Sequence, residues 1–178
     1  MNIFYLSQDP NEAALMLCDK HVGKLLLEGV QMLSTAHRVL DGTKVELYGP
    51  PRKKTVYSLE DRVRDCTLYK AAHVNHPCSV WVRTTYENYH WLYRHCLTLS
   101  EEFKYRFGKV HKSSTLLNIL EYAPNMIKAG PLTVPALAMP ELYRTNDPVY
   151  SYRLYYIKEK SKIAKWERGR KPPSFMVY

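Results

Sequence analysis

The sequence predicts an all-α fold with long helices plus short helices. Apolar residues recur at helical spacing over two long stretches, and residues typical of helix caps stand at their ends. No stretch alternates polar and apolar residues as a strand does, apart from a short run at residues 3–6. A chain of 178 residues can bury a real core, so we expect one domain spanning residues 1–178.

The first predicted helix runs from Asp9 to Leu40. Asp9 is a good N-cap, Pro10 suits the first helical position, and Asp41-Gly42 suits the end. Residues 43–57 contain Gly49-Pro50-Pro51 followed by three cations, which predicts a loop with a basic tip. A short helix from residue 58 to about residue 72 follows, because Ser58 and two acidic residues are typical of a helix start.

The second long helix is predicted from Pro77 to about Phe107, where Gly108 ends it. A helix at 113–122 and a proline-containing loop come next, and Pro148 begins a last helix through about Trp166. Residues 158–178 form a basic, aromatic tail whose end is predicted to be extended.

The charge of the chain favours a polyanionic partner. There are 26 Lys and Arg against 17 Asp and Glu, a formal charge of +9, and nucleic acid is the first candidate. An anionic membrane fits less well, because no basic amphipathic helix with a lipid-seeking face stands out. We therefore expect nucleic acid as the partner, with no membrane and no obligate protein partner. Four scattered cysteines favour reduced thiols and a cytoplasmic location.

Several enzyme classes fit the sequence poorly. It contains no Gly-rich phosphate loop, nucleophile elbow or zinc-protease motif, which disfavours kinases, dinucleotide-dependent dehydrogenases and α/β-hydrolases. His76-Pro77-Cys78 matches a fragment of the zinc-deaminase signature, whose other parts are missing. We expect neither a metal nor a cofactor.

The best candidate site is a polar edge on the first helix. His21, Lys24, Glu28 and Gln31 fall within one sector of about 80°, beside an apolar stripe. At such an edge a carboxylate can be desolvated and still reach a ligand, which suits proton transfer. The alternative is a surface Lys24–Glu28 ion pair worth only ~0.2–0.5 kcal/mol.

Cations interleaved with aromatic residues on the later helices suit phosphate contact and base stacking. The alternative for these segments is a solvated face beside an aromatic packing stripe. The side chains that we expect to contact DNA are Gln31, Arg38, Arg52, Lys53, Lys54, Arg83, Arg94, Arg153, Lys162, Lys165, Arg168, Arg170 and Lys171.

These residues resemble a family. Asp19-x-His21, Glu28 seven residues after the histidine, then Arg38 and Asp41-Gly42-Thr43-Lys44 resemble the first helix of the phage pyrimidine-dimer DNA glycosylases. His76-Pro77 leading to Trp81, and Glu101-Glu102 before Arg106-Phe107-Gly108, match a second part of the pattern, as does the basic, Tyr- and Trp-rich tail. The resemblance covers roughly residues 1–110 and the terminus, which leaves 111–147 as an insertion.

The resemblance implies a mechanism. It also implies a compact bundle of about three long helices plus short helices, with the N-terminal segment packed between helices. Family enzymes kink DNA, flip a base out and attack C1′ of the damaged nucleotide with their α-amine. It implies that Glu28 is the catalytic carboxylate and His21 a supporting residue, with the amine of Met1, or of Asn2 if Met1 is removed. Leu27 stands where the family usually has Arg, and Asn2 where it typically has a small Thr.

The leading hypothesis is a phage-encoded DNA glycosylase and AP lyase, a hydrolase and lyase of base excision repair in the host cytoplasm. Its expected partner is DNA, double-stranded by preference. Two alternatives stay open. One is a non-catalytic phage DNA-binding or structural protein, and the other is a transferase that modifies phage DNA bases on the same scaffold.

Overall fold

The computed structural model describes residues 1–48 and 54–177, and this part of the chain is largely helical, as predicted. Its α-helices and strands are α1 Pro10–Leu15, α2 Asp19–Asp41, β1 Thr43–Leu47, β2 Lys54–Ser58, α3 Arg62–Thr67, α4 Pro77–Val82, α5 Tyr86–Phe107, α6 Leu117–Leu120 and α7 Pro148–Lys160. Short 3₁₀ turns occupy Lys112–Leu116, Glu141–Tyr143 and Ser174–Met176. The longest helices, α2 and α5, have 23 and 22 residues and α7 has 13, so a bundle of three long helices is not confirmed.

The first predicted helix is two helices, because a buried arginine from α5 ends one and begins the other. Arg106 donates to the carbonyls of Leu15 and Leu17 at 3.1 and 2.7 Å, and it pairs with the Asp19 carboxylate at 3.2 Å. The two carbonyls are backbone groups of the kind that a helix end leaves without an intrahelical partner. The prediction of one helix from Asp9 to Leu40 is therefore wrong at residues 16–18, although Asp9 is the N-cap as predicted.

The second predicted helix is also interrupted, at residues 83–85. Thr85 begins α5 as its N-cap, accepting the backbone N–H of Asn88 at 3.3 Å. The Asn88 side-chain amide donates to the carbonyl of Trp81, near the end of α4, at 2.9 Å. Gly108 ends α5 with φ of +66°, a conformation that glycine adopts without strain. The last helix ends at Lys160, six residues earlier than predicted.

Within the predicted loop at residues 43–57, the two described stretches on either side of residues 49–53 are strands. Strands β1 and β2 pair antiparallel from Thr43–Ser58 to Leu47–Lys54, and the predicted basic tip at residues 49–53 lies outside the described residues. The side chains of β1 are mostly exposed, so the hairpin has no alternating pattern to predict it. The apolar run at 3–6 is a buried extended segment, not a strand.

The N-terminal segment lies among α2, α5 and α7. The Phe4 ring stacks on His21 of α2 and on Tyr155 of α7, with centroids 5.2 and 5.8 Å apart. The Tyr5 ring stacks on Trp91 of α5 at 4.6 Å. These contacts bring the first residues of the chain to the polar edge of α2. None of the helices within 1–48 and 54–177 is both long and apolar enough to cross a membrane.

Candidate active site

A cavity of about 370 Å³ lies where the N-terminal segment meets α2 and α7. Three of the four side chains of the predicted polar edge line it, and Gln31 does not. The lining residues are Met1, Asn2, Phe4, Lys20, His21, Lys24, Glu28, Ala138, Tyr155, Lys160 and Ile163.

The chain start lies directly on the Glu28 carboxylate. The backbone N–H of Asn2 donates to Glu28 Oε2 at 3.0 Å, and the α-amine of Met1 is 3.9 Å from the same oxygen. The side chains of Met1 and Glu28 are 3% and 17% exposed, so this contact is largely removed from bulk water. Two adjacent backbone nitrogens therefore lie within reach of one carboxylate.

Hydrogen bonds of the Asn2 side chain hold the first residues in place. Its Nδ2 donates to the carbonyl of Ala138 at 2.8 Å, and its Oδ1 accepts the N–H of Phe4 at 2.9 Å. Phe4 has φ of +40°, which L residues rarely adopt and which persists only where the surrounding structure enforces it. The stacked rings on both α2 and α7 supply that constraint.

His21 is buried in the wall of the same cavity. Its Nδ1 is 2.8 Å from the Tyr156 hydroxyl, and only 3% of the residue is exposed. Burial, helped by the charges of Lys24, Lys160 and Lys20, lowers the His21 pKa to about 4. The imidazole is therefore neutral at pH 7, and it adds no positive charge to the cavity that contains the α-amine.

Positive charge surrounds the single carboxylate of the cavity. Lys20, Lys24 and Lys160 line it together with the α-amine. Lys24 Nζ is 3.9 Å from Glu28 Oε1 but is 60% exposed, so this pair adds little to stability. A cavity with excess positive charge and one carboxylate suits a substrate with phosphates and a reaction that moves protons.

The first 115 residues of the chain match a known protein family. The sequence model of the family described as pyrimidine dimer DNA glycosylase matches residues 1–115, nearly two thirds of the chain. The chain belongs to the pyrimidine dimer DNA glycosylase family. At the level of this family, DNA is the substrate and removal of damaged bases is the function. Searches of the curated proteins and of the solved structures find no match.

The family match includes only part of the cavity wall. Both backbone nitrogens at Glu28, and the α2 side chains, belong to the part that matches the pyrimidine dimer DNA glycosylases. Ala138, Tyr155, Lys160 and Ile163 lie beyond residue 115 and complete the wall. Ala138 falls within the predicted insertion at 111–147, so that segment contributes directly to this cavity.

Several residues of this cavity come from other elements and were not predicted from the sequence. Phe4, Ala138 and Ile163 carry no polar group that would single them out. Tyr155, Tyr156 and Lys160 belong to the basic and aromatic pattern of α7, but that pattern does not show which side faces α2. Lys20 also lines the cavity and was not predicted, although it directly precedes His21 in the motif.

Arg38, a predicted DNA contact, makes its hydrogen bonds within the protein. Its side chain is fully buried, and its guanidinium donates to the carbonyls of Tyr57, Tyr69 and Leu68 at 2.7–3.0 Å. It also pairs with the Asp65 carboxylate at 2.5 Å. All its donors bind the hairpin, α3 and the following loop, so Arg38 attaches these elements to α2.

Other predicted DNA contacts also bind within the protein. Arg83 donates to the Val74 carbonyl at 2.8 Å, and Arg153 donates to the Leu6 carbonyl at 2.9 Å. Arg170 pairs with Glu102 at 2.5 Å, and Lys165 pairs with Glu167 at 3.3 Å. Their contact with DNA stays a prediction.

The remaining predicted DNA contacts differ in exposure. Arg168 lies over the Phe107 ring at 5.0 Å. Arg94, Lys162 and Lys171 are exposed, and Gln31 is half-buried. Arg52 and Lys53 lie outside the described residues, as does the side chain of Lys54.

Proposed function

We propose that this protein removes a damaged or modified base from DNA by attack of its N-terminal amine on C1′, with Glu28 handling the protons, and then cleaves the abasic site as a lyase. The observation that carries the proposal is the position of the chain start. The α-amine of Met1 and the nitrogen of Asn2 lie 3.9 and 3.0 Å from Glu28 Oε2 inside a cationic cavity.

The chemistry needs only the groups in the cavity and the DNA. The amine nitrogen bonds to C1′ as the C1′–N bond breaks, and the base leaves with the bonding electron pair and gains a proton. The amine loses its protons to Glu28, the C1′–O4′ bond opens with protonation of O4′, and an imine forms at C1′. Removal of a C2′ proton then expels the 3′ phosphate. A base in duplex DNA must first be flipped out of the stack to reach such a cavity.

Either of two residues can supply the amine. With Met1 retained, its α-amine is the nucleophile, and its side chain is buried with Sδ 3.7 Å from the Ser79 hydroxyl. With Met1 removed, the Asn2 nitrogen becomes the amine and already lies 3.0 Å from Glu28 Oε2. Asn2 is larger than the family's typical Thr, which disfavours removal of Met1. We therefore favour the α-amine of Met1 as the nucleophile. The proposal requires one of these two nitrogens to begin the mature chain.

One departure from the family shapes the proposed substrate contact. Leu27, 37% exposed, offers no cation where the family usually has Arg. We assign the phosphate contact to Lys20, Lys24 and Lys160, which surround the carboxylate. The proposed substrate is a damaged or modified base in duplex DNA. The proposed place of action is the cytoplasm of a phage-infected host cell.

Borohydride trapping tests the proposal. The wild-type protein is incubated with DNA that contains an abasic site, 5-hydroxymethyluracil or a pyrimidine dimer, and an imine appears as a covalent adduct after reduction. We expect an adduct on at least one substrate, and a loss of roughly 10²–10⁴-fold in its rate of formation for Glu28→Gln. Glu101→Gln, on an exposed part of α5, makes the same charge change and should keep the wild-type rate.

Two other results would overturn the proposal in different ways. Salt-steep DNA binding that survives Glu28→Gln, with no adduct on any substrate, would indicate a non-catalytic DNA-binding protein. Nucleosides of altered mass without strand breaks would indicate a base-modifying transferase.

A further inference from the structure

The hydrogen bonds around the Tyr156 hydroxyl determine which nitrogen of His21 carries the proton. The hydroxyl oxygen accepts the backbone N–H of Cys18 at 3.0 Å, so this contact leaves the hydroxyl proton free. His21 Nδ1 lies 2.8 Å away, and an unprotonated imidazole nitrogen is a good acceptor. The competing acceptor is the Cys18 thiol sulfur, which accepts hydrogen bonds weakly. The hydroxyl therefore donates to Nδ1, and the proton of the neutral ring is on Nε2.

Nε2 of His21 is open to the cavity. Within 1–48 and 54–177, the one buried side-chain nitrogen or oxygen without a hydrogen-bond partner is Nε2 of His95. His21 lines the cavity, and its hydrogen bond in this part of the chain is made by Nδ1. Its Nε2 is consequently exposed toward the space that a substrate would fill.

We infer that Tyr156 is a positioning residue, which fixes His21 so that its Nε2–H faces the cavity as a neutral donor to a carbonyl oxygen of the departing base. This inference rests on the proposed function. As the C1′–N bond breaks, negative charge spreads onto the carbonyl oxygens of a pyrimidine. A fixed donor that meets such an oxygen stabilises the transition state more than the ground state.

Burial keeps both partners in the required protonation state. The His21 pKa falls to about 4, so the ring is neutral at pH 7, and burial raises the Tyr156 pKa, so the hydroxyl keeps its proton. A neutral imidazole can donate without adding charge to an already cationic cavity, as known neutral catalytic histidines do. The charged and titratable groups around the ring are the α-amine of Met1, Lys20, Lys24, Glu28, Tyr155, Tyr156 and Lys160.

A second Tyr–His pair in the fold provides a matched control. Tyr89 on α5 lies 2.9 Å from His37 Nε2, but its hydroxyl donates to the Leu120 carbonyl. Arg64, which can only donate, faces His37 Nδ1 at 3.3 Å. Arg64 and the backbone of Tyr122 both contact the His37 ring, so its tautomer does not depend on Tyr89 alone. Tyr89→Phe removes a buried hydroxyl from a histidine without touching the cavity.

The experiment combines imidazole ¹⁵N NMR with kinetics. In the wild-type protein at pH 7 we expect His21 to show Nε2 protonated and Nδ1 unprotonated and hydrogen-bonded. In Tyr156→Phe the Nδ1 signal should move toward that of a nitrogen without a donor, while Tyr89→Phe leaves it unchanged. A wild-type His21 with a protonated Nδ1 would overturn the inference, even if Tyr156→Phe did not fold and even if no imine were ever trapped.

The kinetic arm separates positioning from a merely structural role. Tyr156→Phe should slow single-turnover release of a base roughly 10- to 100-fold, because the ring loses its fixed orientation. Trapping on a preformed abasic site, which has no base to release, should stay within about twofold of wild type. An equal loss in both reactions, or no loss in base release, contradicts the inference. Absence of any wild-type adduct contradicts the proposed function instead, and the NMR result still stands.

Discussion

Arg38→Met tests whether a predicted DNA contact instead stabilises the fold. Arg38 is fully buried, and its guanidinium joins α2 to the hairpin, to α3 and to the loop that follows α3. Methionine fills most of the same space but donates no hydrogen bond. The substitution therefore removes the donors and the charge, and it leaves only a small cavity.

The magnitude follows from the groups that lose a partner. Hydrogen bonds to a charged group contribute about 1.5–3 kcal/mol each, but several of these acceptors are only partly buried and can bind water instead. Breaking a buried ion pair costs about 3–5 kcal/mol. Asp65 is 25% exposed and keeps contacts with Lys70 and the Leu59 N–H, which favours the lower end. We expect the free energy of unfolding to fall by about 3 kcal/mol and Tm by roughly 6–12 °C.

Urea denaturation followed by circular dichroism measures this loss, and Arg94→Met is the control. Arg94 is exposed on α5, so its replacement should change the free energy of unfolding by less than about 0.5 kcal/mol. DNA affinity is measured against salt concentration at a temperature where both variants are folded. The reasoning is refuted if Arg38→Met leaves stability unchanged and lowers the salt slope by about one.

Three further predictions concern packing, pH and the chain start. A Cβ at Gly29 of α2 would overlap Cys96 Sγ. Gly29→Ala should therefore lower the free energy of unfolding, measured in urea, by about 1–3 kcal/mol despite the better helix propensity of alanine. Adding Cys96→Ala should restore most of the loss. Burial lowers the pKa of three histidines from 6.5 to about 4, so the unfolded chain binds more protons below pH 6.5. These histidines are His21, His37 and His95. Their contribution to the free energy of unfolding should be fully present above pH 6.5 and should be lost toward pH 4, by at most about 1.4 kcal/mol per pH unit for each histidine. A free energy of unfolding that does not change between pH 6.5 and 4 would contradict this. Asn2→Asp removes the donor to the Ala138 carbonyl and keeps the acceptor for Phe4, so imine trapping should slow roughly tenfold, and an unchanged rate would show that this anchor does not position the amine.

Local pattern predicted the α2 side of the candidate site. His21, Lys24 and Glu28 share a helix face at fixed spacing, and all three line the cavity. Gln31 shares the spacing but lies one turn too far along the helix. The opposite wall, with Ala138 and Tyr155, depends on contacts across more than a hundred residues that no local pattern encodes.

The errors in the predicted fold also come from contacts between residues that are far apart in the sequence. The periodic stretch from Asp9 to Leu40 is interrupted because Arg106, far along the chain, binds the carbonyls at the break. The sequence shows that α2 carries a cation, Arg38, but it does not show that α3 and the hairpin cover this side chain. Cap residues such as Asp9 and Gly108 act locally, and their roles were predicted correctly.

The most direct test of the proposed active site is the location of the reduced imine. After borohydride trapping on abasic DNA, the adduct is digested and the modified peptide is sequenced by mass spectrometry. We predict the deoxyribose remnant on the α-nitrogen of the first residue, Met1, or Asn2 if the methionine has been removed. A remnant on the side chain of Lys20, Lys24 or Lys160, with an unmodified α-amine, would contradict the account.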